Sequence, residues 1–373
     1  MKMTSFIPPN RILMGPGPSN VHPRVLDAMA RQTIGHLDPN FIELMDEIKE
    51  LLKYTFQTKN EVTFSVSGPG SVGMETCLVN LVEPGSKVLV CINGVFGGRM
   101  KSIVERCGAE AVVMNMPWGR AIDPELFEET LNKNHKINIC SFVHAETSTG
   151  AKTDIKTLTE IAHQHNCIII ADTVTSLGGI PLLIDEWNID VSYSGSQKCL
   201  SCPPGLSPVT FNERAVELIK KRKSPVQSWF MDLNLILSYW SGNTKRAYHH
   251  TAPINSLYAL HEALLILKEE GLENSWKRHK ANGEKLVSEL EKIGLRPFVK
   301  ADERLPQLTS ISIPAGVDET KVRTSLLNDY NIEIGAGLGE LAGKIWRIGL
   351  MGYSSNEKNI EACVNALKEI LNR

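Results

Sequence analysis

The chain has 373 residues, 42% hydrophobic and 22% charged, and 40 Lys plus Arg against 42 Asp plus Glu leave a formal charge of −2. That composition excludes disordered, collagen-like and coiled-coil chains, and the length suggests two or three domains of roughly 100–200 residues each. The near-neutral balance lacks the electrostatic footprint of a nucleic-acid-binding protein and leaves the ligand open.

The first twenty residues, MKMTSFIPPNRILMGPGPSN, show no apolar core ahead of a small-residue cleavage site, so no signal peptide is expected. No apolar run approaches the ~20 residues that span a bilayer, and no membrane partner is expected. The C-terminal EILNR is not a peroxisomal tripeptide. Eight cysteines in a chain of this length do not suggest a disulfide framework, which points to a reducing, cytoplasmic compartment. Cys199 and Cys202 form a C-x-x-C, but no second pair completes a zinc site, and no metal is expected. His22, His36, His135, His163 and His165 form no constellation.

Short apolar runs then alternate with helical patterns. The predicted strands are Glu61–Ser67, Lys87–Ile92, Ile137–His144, Cys167–Asp172, Asp190–Ser194 and Pro208–Phe211. Between them the spacing predicts helices over Ser71–Leu81, Gly98–Arg106, Pro124–Lys133 and Lys156–His165. Strands of 4–8 residues alternating with helices of about ten indicate βαβ units and a mostly parallel sheet flanked by helices. From Ile254 to about Ile293 two long helical patterns meet at Gly271. Beyond them PQLTSISIP and WRIGLMG read as strands, while ETKVRTSLLNDY and EKNIEACVNALKEILN read as helices. The expected organisation is an N-terminal arm (1–20), a large α/β domain (21–270) and a smaller C-terminal α+β domain (271–373).

Ligands of open parallel sheets bind beyond the carboxyl ends of the strands, so chemistry is sought there. Gly68-Pro69-Gly70-Ser71-Val72-Gly73 follows a predicted strand and opens a predicted helix. Its N–H groups and helix dipole suit a phosphate. The string also matches the dinucleotide fingerprint G-x-G-x-x-G, yet Asn93 stands where that fingerprint wants an acid; a plain tight turn is the third reading. Asp172 closes the run CIIIAD, and Lys198 follows the run DVSYSGSQ. Singly, the Asp could cap a turn and the Lys could be solvated. Together with a phosphate cradle they supply what pyridoxal phosphate (PLP) needs: a lysine for the Schiff base, an anion beside the ring nitrogen, and a phosphate-binding helix end.

The strings GPGPSN, SGPGSVGME, HAETSTG, ADTVTSLGG, YSGSQKCLSCPPG, YHHTAP and WRIGL stand in the order of the class V, fold-type I PLP aminotransferases. The chain resembles that family over nearly its whole length, most closely its alanine–glyoxylate (serine–pyruvate) branch. The resemblance implies an internal aldimine on Lys198, which then shuttles the proton between Cα and C4′, with Asp172 on the pyridine nitrogen. It implies Pro69, Gly70, Ser71 and Gln197 around the phosphate and Thr147 on the ring hydroxyl. Phe96 and Val174 would lie against the two ring faces. Tyr248 and Thr251 would reach the phosphate of the partner in a homodimer. Arg347 would clamp the substrate carboxylate, beside Thr147.

Two departures stand out: Ser71 where the animal enzymes have His, and Phe96 where they have Trp. Taken alone, Phe96 is as readily a core residue, Tyr248 an interface residue, and Arg347 an ion-pair partner. Cys199 adjoins the lysine, but a desulfurase needs a mobile, low-pKa cysteine on its own loop, which the sequence lacks. The expected activity is ping-pong transfer from alanine or serine to glyoxylate or pyruvate. The alternatives are ureidoglycine–glyoxylate or pyridoxamine–pyruvate transamination, a lyase or desulfurase, and, from another class, a non-catalytic nucleotide-binding protein.

Overall fold

The computed structural model describes residues 4–240 and 246–372. Its main sheet has seven strands in the spatial order Val62–Ser67, Leu206–Phe211, Val191–Tyr193, Ile168–Asp172, Ile139–Val143, Lys87–Ile92, Glu110–Asn115. All pairings are parallel except the two made by Leu206–Phe211, which runs against both neighbours. The central strands Ile139–Val143 and Ile168–Asp172 are buried at every position, as a sheet covered on both faces requires.

The helices follow from capping as well as spacing. Asp38 accepts from the Asn40 N–H and Pro39 opens the helix Pro39–Phe56, whose left-handed Gln57 ends it. Asp123 and Pro124 do the same for Pro124–Lys133. The long pair Ile254–Glu270 and Leu272–Lys292 is broken at Gly271, which holds φ at +84°.

A second, three-stranded sheet orders Leu308–Ser312, Ile345–Gly349 and Gly335–Ala336, all antiparallel. The helices Glu319–Asp329 and Glu357–Ile370 belong to the core around it. Buried apolar side chains fall into two large clusters, one running from Val25 to Leu272 in sequence, the other built from Met14 and residues between Leu286 and Leu367. The N-terminal segment thus packs with the C-terminal residues, and Ile12–Leu13 pairs in parallel with Ile332–Glu333. That return path carries Gly15–Pro18 past the end of the main sheet.

Each strand read from the sequence appears, with ends unchanged or shifted by up to three residues. The edge strand Glu110–Asn115 was not anticipated, because five of its six residues are only half-buried or exposed and the apolar signal is diluted. Among the described residues no helix is long and apolar enough to cross a membrane. No group of three or more His, Cys, Asp or Glu side chains among them could hold a metal ion.

Candidate active site

The strand ends converge on Lys198. It lies five residues past Val191–Tyr193 and is only 8% exposed. Its Nζ donates to the carbonyl of Pro16, 182 residues away, and so meets the N-terminal segment directly. Burial pulls its ammonium down to about 8, and the charges of Arg347 and Arg99 push the same way. Gly17 holds φ at +107°, and a Cβ there would lie 2.5 Å from Nζ. The lysine therefore occupies space that any side chain at position 17 would take.

Asp172 terminates its strand and is 3% exposed. The parallel register sets it opposite Tyr193. The Tyr193 hydroxyl donates to Oδ2 at 2.7 Å, and the Val174 N–H donates to Oδ1 at 2.9 Å. Burial nevertheless raises the carboxyl to about 7. Among the described residues no cation contacts this carboxylate, and a protonated ring nitrogen is a partner that would favour its charged form.

Beyond Val62–Ser67 the chain turns through Gly68, at φ +152°, into the helix Gly70–Leu81. Its N-cap residue Pro69 makes no side-chain capping bond, so the first turn offers unclaimed N–H groups. Gly70 is buried against Val174, whose Cγ2 would stand 3.4 Å from a Cβ at that position, while Pro69 and Ser71 face outward. Gln197 Oε1 is buried and has no hydrogen-bond partner among the described residues. An orphaned amide, a helix end with free N–H groups and a desolvated carboxylate together fit the phosphate and ring of PLP. The dinucleotide reading loses further ground, because Asn93 is fully buried and donates to the Arg120 carbonyl at 2.9 Å.

Arg347 lies on Ile345–Gly349 and is 6% exposed. Its Nε donates to the Ala336 carbonyl at 2.7 Å and its Nη1 to the Thr147 carbonyl at 2.9 Å. Among the described residues no carboxylate contacts it, and burial lowers it to about 10. Thr147 is buried in the tight hairpin formed by Ala145–Glu146 and Ala151–Lys152. Phe96 is half-buried at the start of the helix Val95–Arg106, with the Arg99 guanidinium 4.8 Å from its ring centre. Tyr248 and Thr251 stand apart from these groups on the exposed surface, their hydroxyls 3.4 Å apart.

Several residues here lie within the motif strings but were assigned no role from the sequence: Pro16, Gly17, Tyr193, Glu146 and His250. The His250 Nε2 lies 2.8 Å from Ser67 Oγ, beside the phosphate-type turn. Cys199 is buried, bonds to the Thr175 carbonyl and is pushed up to about 12 by burial, which is the opposite of a reactive thiol. A cleft of about 1320 Å³, lined by Trp187 and Trp276 among others, lies elsewhere and contains neither Lys198 nor Arg347.

The sequence profile described as Aminotransferase class-V matches residues 12–360. Rat alanine–glyoxylate aminotransferase is 42% identical over 97% of this chain and 88% of its own length. The crystal structure of alanine–glyoxylate aminotransferase from Nostoc sp. superposes with a TM-score of 0.97 at 46% identity, covering 100% of this chain and 98% of the other. That of ureidoglycine–glyoxylate aminotransferase from Bacillus subtilis gives 0.96 at 38%, covering 99% and 95%. With Lys198, Asp172 and the Gly68–Gly73 turn gathered at the strand ends, the chain belongs to the class V aminotransferases and is a PLP-dependent aminotransferase.

Proposed function

We propose that this enzyme moves the amino group of a small L-amino acid, alanine or serine, to glyoxylate or pyruvate in two half-reactions. The observation that supports this most directly is a buried Arg347, with no carboxylate in contact among the described residues, near the buried amine of Lys198: one cation to grip a carboxylate, one base to work beside it. Similarity to the rat and Nostoc alanine–glyoxylate enzymes supports the choice of substrates.

When bound, PLP supplies the carbonyl that exchanges for the amino group and the electron sink for the Cα carbanion. Lys198 serves first as the nucleophile and then carries the proton from Cα, a task suited to an amine held near neutrality. Asp172 keeps the ring nitrogen protonated, with Tyr193 and Val174 fixing its two oxygens. Pro69, Gly70, Ser71 and Gln197 hold the phosphate. Phe96 and Val174 take the ring faces, and Thr147 its hydroxyl. Two donors of Arg347 are tied to carbonyls, which fixes the guanidinium plane and leaves its remaining edge for the substrate carboxylate.

Small neutral donors follow from the charges nearby. A side-chain carboxylate would need its own cation. Arg99 is the one cation near Lys198 besides Arg347 that is named above, and it is exposed and lies over Phe96. Tyr248 and Thr251, exposed in the single chain, complete the phosphate site of a second copy, giving a two-fold homodimer. We divide the chain into an arm (1–20), a large domain (21–270) and a small domain (271–373). A reducing, cytoplasmic compartment suits eight unpaired, buried cysteines.

The deciding experiment is a matrix of amino donors against glyoxylate and pyruvate, read as kcat/KM. Alanine or serine should lead. A lead for (S)-ureidoglycine, the donor in the Bacillus subtilis relative's name, or for pyridoxamine, would replace this reading.

A further inference from the structure

The residue after Ala145 in the tight hairpin, Glu146, is 0% exposed. Among the described residues no cation contacts it; its surroundings are hydrogen-bond donors, and burial pushes its carboxyl above the usual range. A carboxylate placed so deep is costly unless its oxygens are fully engaged. They are. Oε1 accepts from the Ser148 N–H at 3.0 Å and from Ser148 Oγ at 2.5 Å. Oε2 accepts from the Phe96 N–H at 3.2 Å, with the Gly97 N–H also directed at the carboxylate. Ser148 Oγ in turn accepts from the Val95 N–H at 2.9 Å.

These donors belong to the first turn of Val95–Arg106. Its own N-cap, Gly94, supplies no side-chain bond, so the helix is capped from another segment, some fifty residues away in the chain. Gly94 is required by that contact: a Cβ there would overlap both Glu146 and Ser148 Oγ. One side chain therefore ties the helix that carries Phe96 to the hairpin that carries Thr147.

We propose that Glu146 is a positioning residue of the cofactor pocket, clasping Phe96 and Thr147 in the spacing that the PLP ring fills. This rests on the roles given above to Phe96 and Thr147. The carboxylate touches neither cofactor nor substrate; it acts through the two elements it joins.

The test is PLP binding to apoprotein, read as Kd by titration and as the visible circular dichroism of the bound cofactor, for Glu146→Gln, Ser148→Ala, Phe96→Ala and the Glu146→Gln/Phe96→Ala double variant. Glu146→Gln should raise Kd about tenfold, since one accepting oxygen becomes a donor facing N–H groups. It should also weaken the dichroism. The double variant should lose less than the product of the two single losses, because Glu146→Gln acts in part through the ring that Phe96→Ala has already removed, while the backbone N–H at position 96 is kept. An unchanged Kd in Glu146→Gln, or losses that multiply in the double variant, overturns the clasp. An unchanged Kd in Phe96→Ala alone overturns instead the ring-stacking role on which it rests. Should Glu146→Gln fail to fold, Ser148→Ala decides: a threefold or greater loss of affinity supports the clasp, and wild-type affinity overturns it.

Discussion

Tyr193 donates its hydroxyl to Oδ2 of Asp172 at 2.7 Å because the two residues are register partners on adjacent parallel strands. The bond is therefore fixed by the sheet and does not depend on a flexible loop. A hydrogen bond to a buried charge contributes about 1.5–3 kcal/mol. Tyr193→Phe should keep the fold and the yellow cofactor complex but lower kcat by roughly tenfold, since the anion at the ring nitrogen loses one of its two fixed donors. Steady-state kinetics with a saturating donor check this; an unchanged kcat would show that Asp172 needs only the Val174 N–H.

The raised carboxyl of Asp172 makes a prediction about the apoprotein. In the unfolded chain the group titrates near the ordinary aspartate value of 3.8, and in the folded chain at about 7. Between those values the folded state holds the extra proton, so this group's contribution to stability falls as pH rises and is constant above about 7. Asp172→Asn removes the titration. The variant apoprotein should melt higher than wild type at pH 8, with the gap narrowing as pH falls towards 4, while PLP-dependent activity is lost. Thermal unfolding of both apoproteins across that range is the measurement.

Lys198, lowered to about 8, should show itself in cofactor capture. Only the neutral amine attacks a carbonyl, so the rate of covalent PLP capture by apoprotein should rise about tenfold per pH unit below the inflection and level off above it. Stopped-flow absorbance reads the profile. An inflection near 10 would mean that the site is wetter than its burial implies. Lys198→Ala should abolish both capture and transamination.

Arg347→Ala should raise the KM for the amino donor by about 10- to 100-fold with a smaller change in kcat, as expected when a charge-assisted fork that grips the unreacting carboxylate is removed. Arg347→Lys should recover little, because a compact ammonium lacks the planar fork that bonds the Ala336 and Thr147 carbonyls while presenting a further edge to the substrate. Equal kcat/KM for wild type and the lysine variant would argue against the fork.

Gly17→Ala adds one methyl group where the backbone is left-handed and Lys198 Nζ would be 2.5 Å away. PLP capture by this variant should fall at least tenfold while the melting temperature of the apoprotein changes by a few degrees. Normal capture would show that the N-terminal segment can yield to the lysine.

The sequence by itself determined the elements and the residues at their mouths. Lys87–Ile92 and Pro124–Lys133 are bounded where the apolar spacing and the Asp-Pro cap place them. Asp172, Lys198 and the Gly68–Gly73 turn were legible because a buried strand is a local apolar run, and the polar residue that ends it stands out. Leu206–Phe211 was legible as a strand, but its antiparallel direction was not, since strand spacing is the same either way.

Only the tertiary structure decided the contacts that tune those residues. Tyr193 on Asp172 depends on register, Pro16 on Lys198 on a chain return of 182 residues, and Glu146 on Phe96 on the packing of a hairpin against a helix. Burial likewise decided the protonation of Asp172, Lys198 and Arg347, because desolvation is a property of everything packed around a group and not of its neighbours in sequence.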